Sequence, residues 1–91
     1  MVQGPAFARR LIATREALGL RPSQFCEAAG IARSAYSNWE AGEKRPGLSA
    51  AIKLVKVHGL TLDWIYLGDP SGLPSRIVSK LPPDLLTGDS R

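Results

Sequence analysis

Between Leu20 and Gly42 the chain reads LRPSQFCEAAGIARSAYSNWEAG, and few folds accommodate that order of residues. Pro22 suits the first position of a helix, because it has no N–H to lose and its φ is already set. Gly30 closes the helical pattern that Pro22 opens, and a second helical run follows at once and stops at Gly42. Two helices crossing at ~90–120° need small side chains where they touch, a residue tolerant of positive φ in the turn, and apolar anchors beneath both. Cys26 and Ala29 can be the small contacts, Gly30 the turn, and Phe25, Ile31, Tyr36 and Trp39 the anchors. The stretch predicts a helix-turn-helix.

With Tyr36 and Trp39 facing inward, helical geometry sends Arg33, Ser34, Ser37 and Asn38 outward on one flank. That flank is short, polar and free of carboxylates. Arg can pair with guanine O6 and N7, Asn with adenine N6 and N7, and Ser or Ala lets a helix approach the floor of the major groove. The same pattern also suits the solvated face of an ordinary helical hairpin, so the remaining residues have to decide.

At 91 residues the chain has the length of one small single-core domain. Its net charge of +4 is uneven. Arg9, Arg10, Arg15, Arg21, Arg33, Lys44, Arg45, Lys53 and Lys56 stand against Glu16, Glu27, Glu40 and Glu43 up to position 56, an excess of five, and the remainder is −1. A basic half that holds the reading helix suits a polyanionic partner such as double-stranded DNA. A single cysteine permits no internal disulfide, and neither a signal-like opening nor a run of ~20 apolar residues is found, so a cytoplasmic protein with no membrane partner is expected.

Taken in order, helix one is expected over residues 6–18, with Phe7, Leu11, Ile12 and Leu18 on one stripe. Arg15 falls on the side of Leu11 and Leu18, at the core edge, where it requires an acidic partner. Helix two runs from Pro22 to Gly30 and helix three over 33–41. Lys44 and Arg45 project from the loop before Pro46. Helix four, residues 48–57, is expected to bury Leu48, Ile52 and Val55, with His58 meeting its terminal carbonyls. Thr61 caps a fifth short helix, TLDWIYLG, whose Leu62 and Ile65 should face the core and leave some combination of Trp64, Tyr66 and Leu67 near the surface. Beyond Asp69 the chain is rich in Pro, Ser and Gly, yet Leu73, Ile77 and Leu81 recur at i+4 and allow one or two helical turns before Pro82-Pro83.

Residues 9–69 resemble the phage repressor and Cro family of helix-turn-helix proteins, often called XRE-like. The likeness rests on LGL before helix two, GIARSAYSNWEAG across the turn and third helix, RPGL before helix four, and GLTLDWIYLGD. It implies an all-α, compact five-helix bundle, here residues 1–68; residues 69–91, beyond the likeness, are expected to form a short C-terminal tail for dimerisation or partner binding. It also implies that the third helix enters the major groove of a roughly palindromic operator. Arg33, Ser34, Ser37 and Asn38 would then meet base edges, and Arg45 matches a phosphate-contacting position of the family; Lys44 beside it, Ser23, and Arg21 as a replacement contact at the start of helix two are expected to hold phosphates as well. The family tends to pair a helix-one Arg with the Glu of its WE motif, which maps to Arg15 and Glu40. Two positions depart from the pattern. Where the family often opens helix two with Ser/Thr-Gln, this chain has Arg21-Pro22 and loses the amide clamp. Cys26 stands where Ala is usual, and a buried thiol behaves as a small hydrophobe.

His58 reads as a helix-end cap, Cys26 as core, and Trp39 and Trp64 as core aromatic residues rather than stacking platforms. Glu40 is engaged by Arg15 and Glu43 is in a loop, so an enzyme is not expected, nor any cofactor or metal. A transcriptional regulator, a repressor acting as a homodimer through Trp64, Tyr66 and Leu67, is the leading expectation. The competing one is an antitoxin that binds its own promoter and neutralises a partner protein through the tail.

Overall fold

Helix α2 (Pro22–Ala29) shows how local chemistry sets the frame. Arg21 ahead of it is extended, Pro22 takes the first position, and the Gln24 side-chain oxygen accepts the Arg21 N–H at 2.8 Å. At the other end Gly30 turns left-handed at φ +68°. The Ile31 N–H then reaches the Cys26 carbonyl at 2.9 Å and the Gly30 N–H the Glu27 carbonyl at 3.2 Å, which engages two carbonyls of the last helical turn. Gly42 ends α3 (Arg33–Glu40) by the same device, with the Glu43 N–H on the Asn38 carbonyl at 2.9 Å.

The computed structural model describes residues 5–86. Helices α1 (Ala6–Ala17) and α4 (Leu48–His58) flank this pair. A π-helical turn (Asp63–Leu67), a one-turn helix α5 (Ser75–Val78) and a 3-10 turn (Pro83–Leu86) follow. The fold is all-α, with no strand among the described residues. None of their helices is long and apolar enough to cross a membrane.

The core gathers Phe7, Ala8 and Leu11 of α1, Phe25, Cys26 and Ala29 of α2, and Tyr36 and Trp39 of α3. Ala51 and Leu54 of α4 join them, with Leu60, Trp64, Ile65, Leu73, Ile77 and Leu81 beyond. The i+4 series Leu73, Ile77, Leu81 is therefore a buried stripe, and the tail as far as Leu86 lies against the bundle, tied by Arg9 Nη2 to Asp84 Oδ2 at 2.8 Å.

Several inward faces differ from the sequence expectation. Helix α1 turns Arg10 and Thr14 inside and leaves Ile12 and Leu18 half-buried. Helix α4 buries Ala51, Leu54 and His58, while Leu48 and Ile52 are exposed and Val55 is half-buried. The small Ala51 allows the close approach that a bulky Leu48 or Ile52 stripe would prevent. His58 caps no carbonyl of its own helix. Its ring stacks on Phe25 at 4.2 Å, and Nε2 donates to the Phe25 carbonyl at 3.0 Å, joining α4 to α2.

The expected fifth helix is a single wide turn. Thr61 caps it, its Oγ1 accepting the Trp64 N–H at 2.9 Å. A π turn carries more residues per turn than an α-helix, so the neighbours Trp64 and Ile65 both point inward. Leu62 is displaced outward, to 37% exposure.

Candidate nucleic-acid interface

Helix α3 is held from three sides. Tyr36 and Trp39 are buried, edge to face at 5.8 Å, and Tyr36 also leans on Phe25 at 5.2 Å. The Glu40 carboxylate accepts Arg15 Nε at 2.8 Å and the Tyr36 hydroxyl, while Arg15 Nη1 donates to the Leu20 carbonyl at 3.0 Å. The expected Arg15–Glu40 pair is thus present, half-buried, and it ties α1, the α1–α2 turn and α3 together. Burial alone would lower the Arg15 pKa, but the Glu40 hydrogen bond and charge outweigh it and the net shift is upward. Burial first, and then Glu40, push the Tyr36 phenol well above its ordinary value. The α2–α3 turn has its own brace, Lys53 Nζ donating to the Gly30 carbonyl at 3.4 Å.

With those anchors inside, Arg33, Ser34 and Ser37 are exposed on α3 and Asn38 is half-buried beside them. The flank carries no carboxylate. Arg21 is exposed where α2 begins, and Ser23 is half-buried one residue after Pro22. Lys44 and Arg45 are exposed in the loop after α3. That loop is fixed rather than loose: Pro46 is buried, and its carbonyl accepts the Tyr66 hydroxyl at 2.8 Å. The Arg45 guanidinium lies 4.8 Å from the centre of the Phe7 ring on α1, a cation–π geometry that holds the charge outward. Among the described residues no carboxylate pairs with Arg21, Arg33, Lys44 or Arg45.

Two expectations about individual residues change. Trp64 is not available at the surface. It is 1% exposed, and its Nε1 donates to Thr14 Oγ1 at 2.8 Å, the hydroxyl in turn donating to the Arg10 carbonyl at 2.6 Å. Tyr66 is half-buried by its bond to Pro46, and Leu67 is 70% exposed. Arg10, which no sequence expectation singled out, is 4% exposed. Its spacing from Phe7 and Thr14 on α1 was the available signal. Cys26 is fully buried and its thiol is pushed up by burial, in keeping with packing rather than reactivity. No cluster of three His, Cys, Asp or Glu side chains suited to a metal occurs among the described residues.

A short helix with an exposed polar flank, braced across a tight glycine turn by a second helix, defines a helix-turn-helix domain. The family described as Helix-turn-helix matches residues 11–65, and the chain belongs to it, in its XRE-like branch. The helix-turn-helix is a DNA-binding module, and two curated relatives are named as transcriptional regulators. The HTH-type transcriptional regulator YobD of Bacillus subtilis, itself uncharacterized, is 34% identical over 59 residues, 65% of this chain and 53% of YobD. An uncharacterized HTH-type transcriptional regulator of Haemophilus influenzae is 32% identical over 47 residues, 52% of this chain and 20% of the relative. The chain thus spans about half of one curated relative and a fifth of the other. No solved structure matches.

Proposed function

We propose that the protein is a sequence-specific transcriptional regulator, a repressor, that inserts α3 into the major groove of a roughly palindromic operator. One observation carries the reading. The α3 flank of Arg33, Ser34, Ser37 and Asn38 faces solvent without a carboxylate, on a helix whose opposite side is locked by Tyr36, Trp39 and Glu40. In this reading Arg33 and Asn38 pair with base edges, and Ser34 and Ser37 let the backbone come close. Arg21, Ser23, Lys44 and Arg45 hold phosphates on either side and set the register.

The working species is a homodimer, because one such helix covers too few base pairs for the 10³–10⁷ discrimination typical of specific binders. Its contact is built on Leu62, Tyr66 and Leu67, the first just before the π turn and the last at its end, both with exposed apolar side chains. An antitoxin would need its tail for a second protein. Leu73, Ile77 and Leu81 are instead buried in this chain's own core, which favours the plain regulator.

Genome-wide binding in the native host, followed by footprinting of the strongest site, tests the reading. A protected inverted repeat with two half-sites about one helical turn apart is expected. Absence of any preferred site, or co-purification of a stoichiometric protein partner that abolishes DNA binding, would contradict it.

A further inference from the structure

Arg10 sits on the inward face of α1 one turn after Phe7, 4% exposed. Its Nη2 donates to the Ile65 carbonyl at 3.2 Å, its guanidinium carbon lies 6.0 Å from the centre of the Trp64 ring, and Nε has no hydrogen-bond partner. No carboxylate meets it among the described residues. One carbonyl and one distant ring offset little of the cost of taking an ionised guanidinium out of water. The charge that acts on it has the wrong sign. Arg45 stacks on Phe7 at the same end of α1, and its charge adds to burial in pulling the Arg10 pKa down. Two cations therefore share the Phe7 end of α1, one exposed and one buried, and among the described residues no carboxylate pairs with either.

We propose that Arg10 is the buried half of an anion subsite whose exposed half is Arg45, and that the subsite takes a phosphodiester of the DNA backbone. This rests on the DNA-binding reading above and adds a residue to it. Arg45 makes the contact, and Arg10 reinforces it through the field of a charge that lies below the surface and is screened less by salt than a solvated one. Without DNA the same charge is a defect in the fold. With a phosphate seated on Arg45 it gains its missing counter-charge, so stability of the free protein is exchanged for affinity.

The test compares the wild-type chain with Arg10→Met, which keeps length and apolar bulk without charge, and Arg10→Lys, which keeps the charge. Unfolding temperature is measured on free protein, and affinity is measured on the footprinted operator and on a random duplex across a salt series. Free Arg10→Met is expected to unfold about 4–8 °C higher than wild type. It should bind both duplexes about 3- to 10-fold more weakly at low salt, with the salt slope changed by less than one unit, whereas Arg45→Ala lowers that slope by about one. Arg10→Lys should bind within about threefold of wild type. A lower unfolding temperature for Arg10→Met would make Arg10 a structural strut and overturn the proposal, as would unchanged duplex affinity. Inorganic phosphate at matched ionic strength is the second probe. If it raises the unfolding temperature of wild type but not of Arg10→Met while duplex affinity is the same for both, the subsite serves a free anion and the backbone assignment fails. A wild-type chain that binds no duplex would instead defeat the regulator reading itself.

Discussion

Arg15 and Glu40 lie 25 positions apart and meet with Arg15 Nε 2.8 Å from Glu40 Oε2, the same carboxylate that accepts the Tyr36 hydroxyl. Their side chains are 13% and 21% exposed, between the surface pairs that contribute little and the buried pairs whose rupture strands a charge. Truncating either to Ala is expected to cost about 2–3 kcal/mol, with a coupling of about 1 kcal/mol or more in a double-mutant cycle read by urea unfolding. Zero coupling would mean that the pair does not tie the reading helix to α1.

Tyr36 makes the stability depend on alkaline pH. Its phenol stays neutral in the fold to well above 10.0, the value at which it ionises when unfolded. Raising the pH through about 10 ionises the unfolded chain first, so the contribution is complete below that pH and is lost progressively above it. Tyr36→Phe should cost about 1–2 kcal/mol at neutral pH and flatten the decline between pH 9 and 11. Chemical unfolding at a series of pH values checks both effects.

Gly30 and Gly42 offer a controlled comparison. Both are left-handed, at φ +68° and +79°, but a Cβ on Gly30 would meet nothing within 4 Å whereas one on Gly42 would collide with Pro5 Cδ. Gly30→Ala should carry only the backbone strain, about 1 kcal/mol. Gly42→Ala should cost about 2–3 kcal/mol, because Pro5 must move as well. Adding Pro5→Ala to Gly42→Ala should bring the cost back toward that of Gly30→Ala, as thermal unfolding would show.

These positions also mark what the sequence made legible. Gly30, Gly42 and Pro22 are local signals, since backbone geometry permits few alternatives there, and they place α2, the turn and α3 without any knowledge of the remaining chain. The Arg15–Glu40 contact came from a family likeness, and its burial was foreseeable from the stripe on α1. The faces of α4 and of the π turn were not legible, for two different reasons. Helix α4 has apolar residues in several phases, Leu48 and Ile52 in one and Ala51 and Leu54 in another, so periodicity offers two answers and packing chooses the one with the small residue at the contact. The π turn breaks the α-helical period itself, which turns Trp64 inward and Leu62 outward. Arg10 escaped notice because the expected α1 stripe ran through Phe7, Leu11, Ile12 and Leu18, and its burial depends on Ile65 and Trp64, which arrive from far along the chain.

The dimer reading places weight on Leu62 and Leu67. Wild-type protein is expected to saturate the footprinted operator with two chains, and Leu62→Asp or Leu67→Asp should weaken cooperativity while leaving the fold intact, since both side chains are exposed. Native mass measurement of the complex, with binding isotherms for the variants, decides it. One chain per asymmetric site, with isotherms unchanged by either substitution, would refute the dimer.

A regulator of this kind depends on α3 reading sequence. The most direct measurement is the affinity of Arg33→Ala for the footprinted operator and for a random duplex of equal length, with Arg45→Ala alongside. Arg33→Ala is expected to lose about 1–3 kcal/mol on the operator, to relax preference at particular base pairs, and to bind random duplex nearly as wild type does. Arg45→Ala should weaken both duplexes alike and lower the salt slope by about one. Equal losses for Arg33→Ala on operator and random DNA would contradict the central claim.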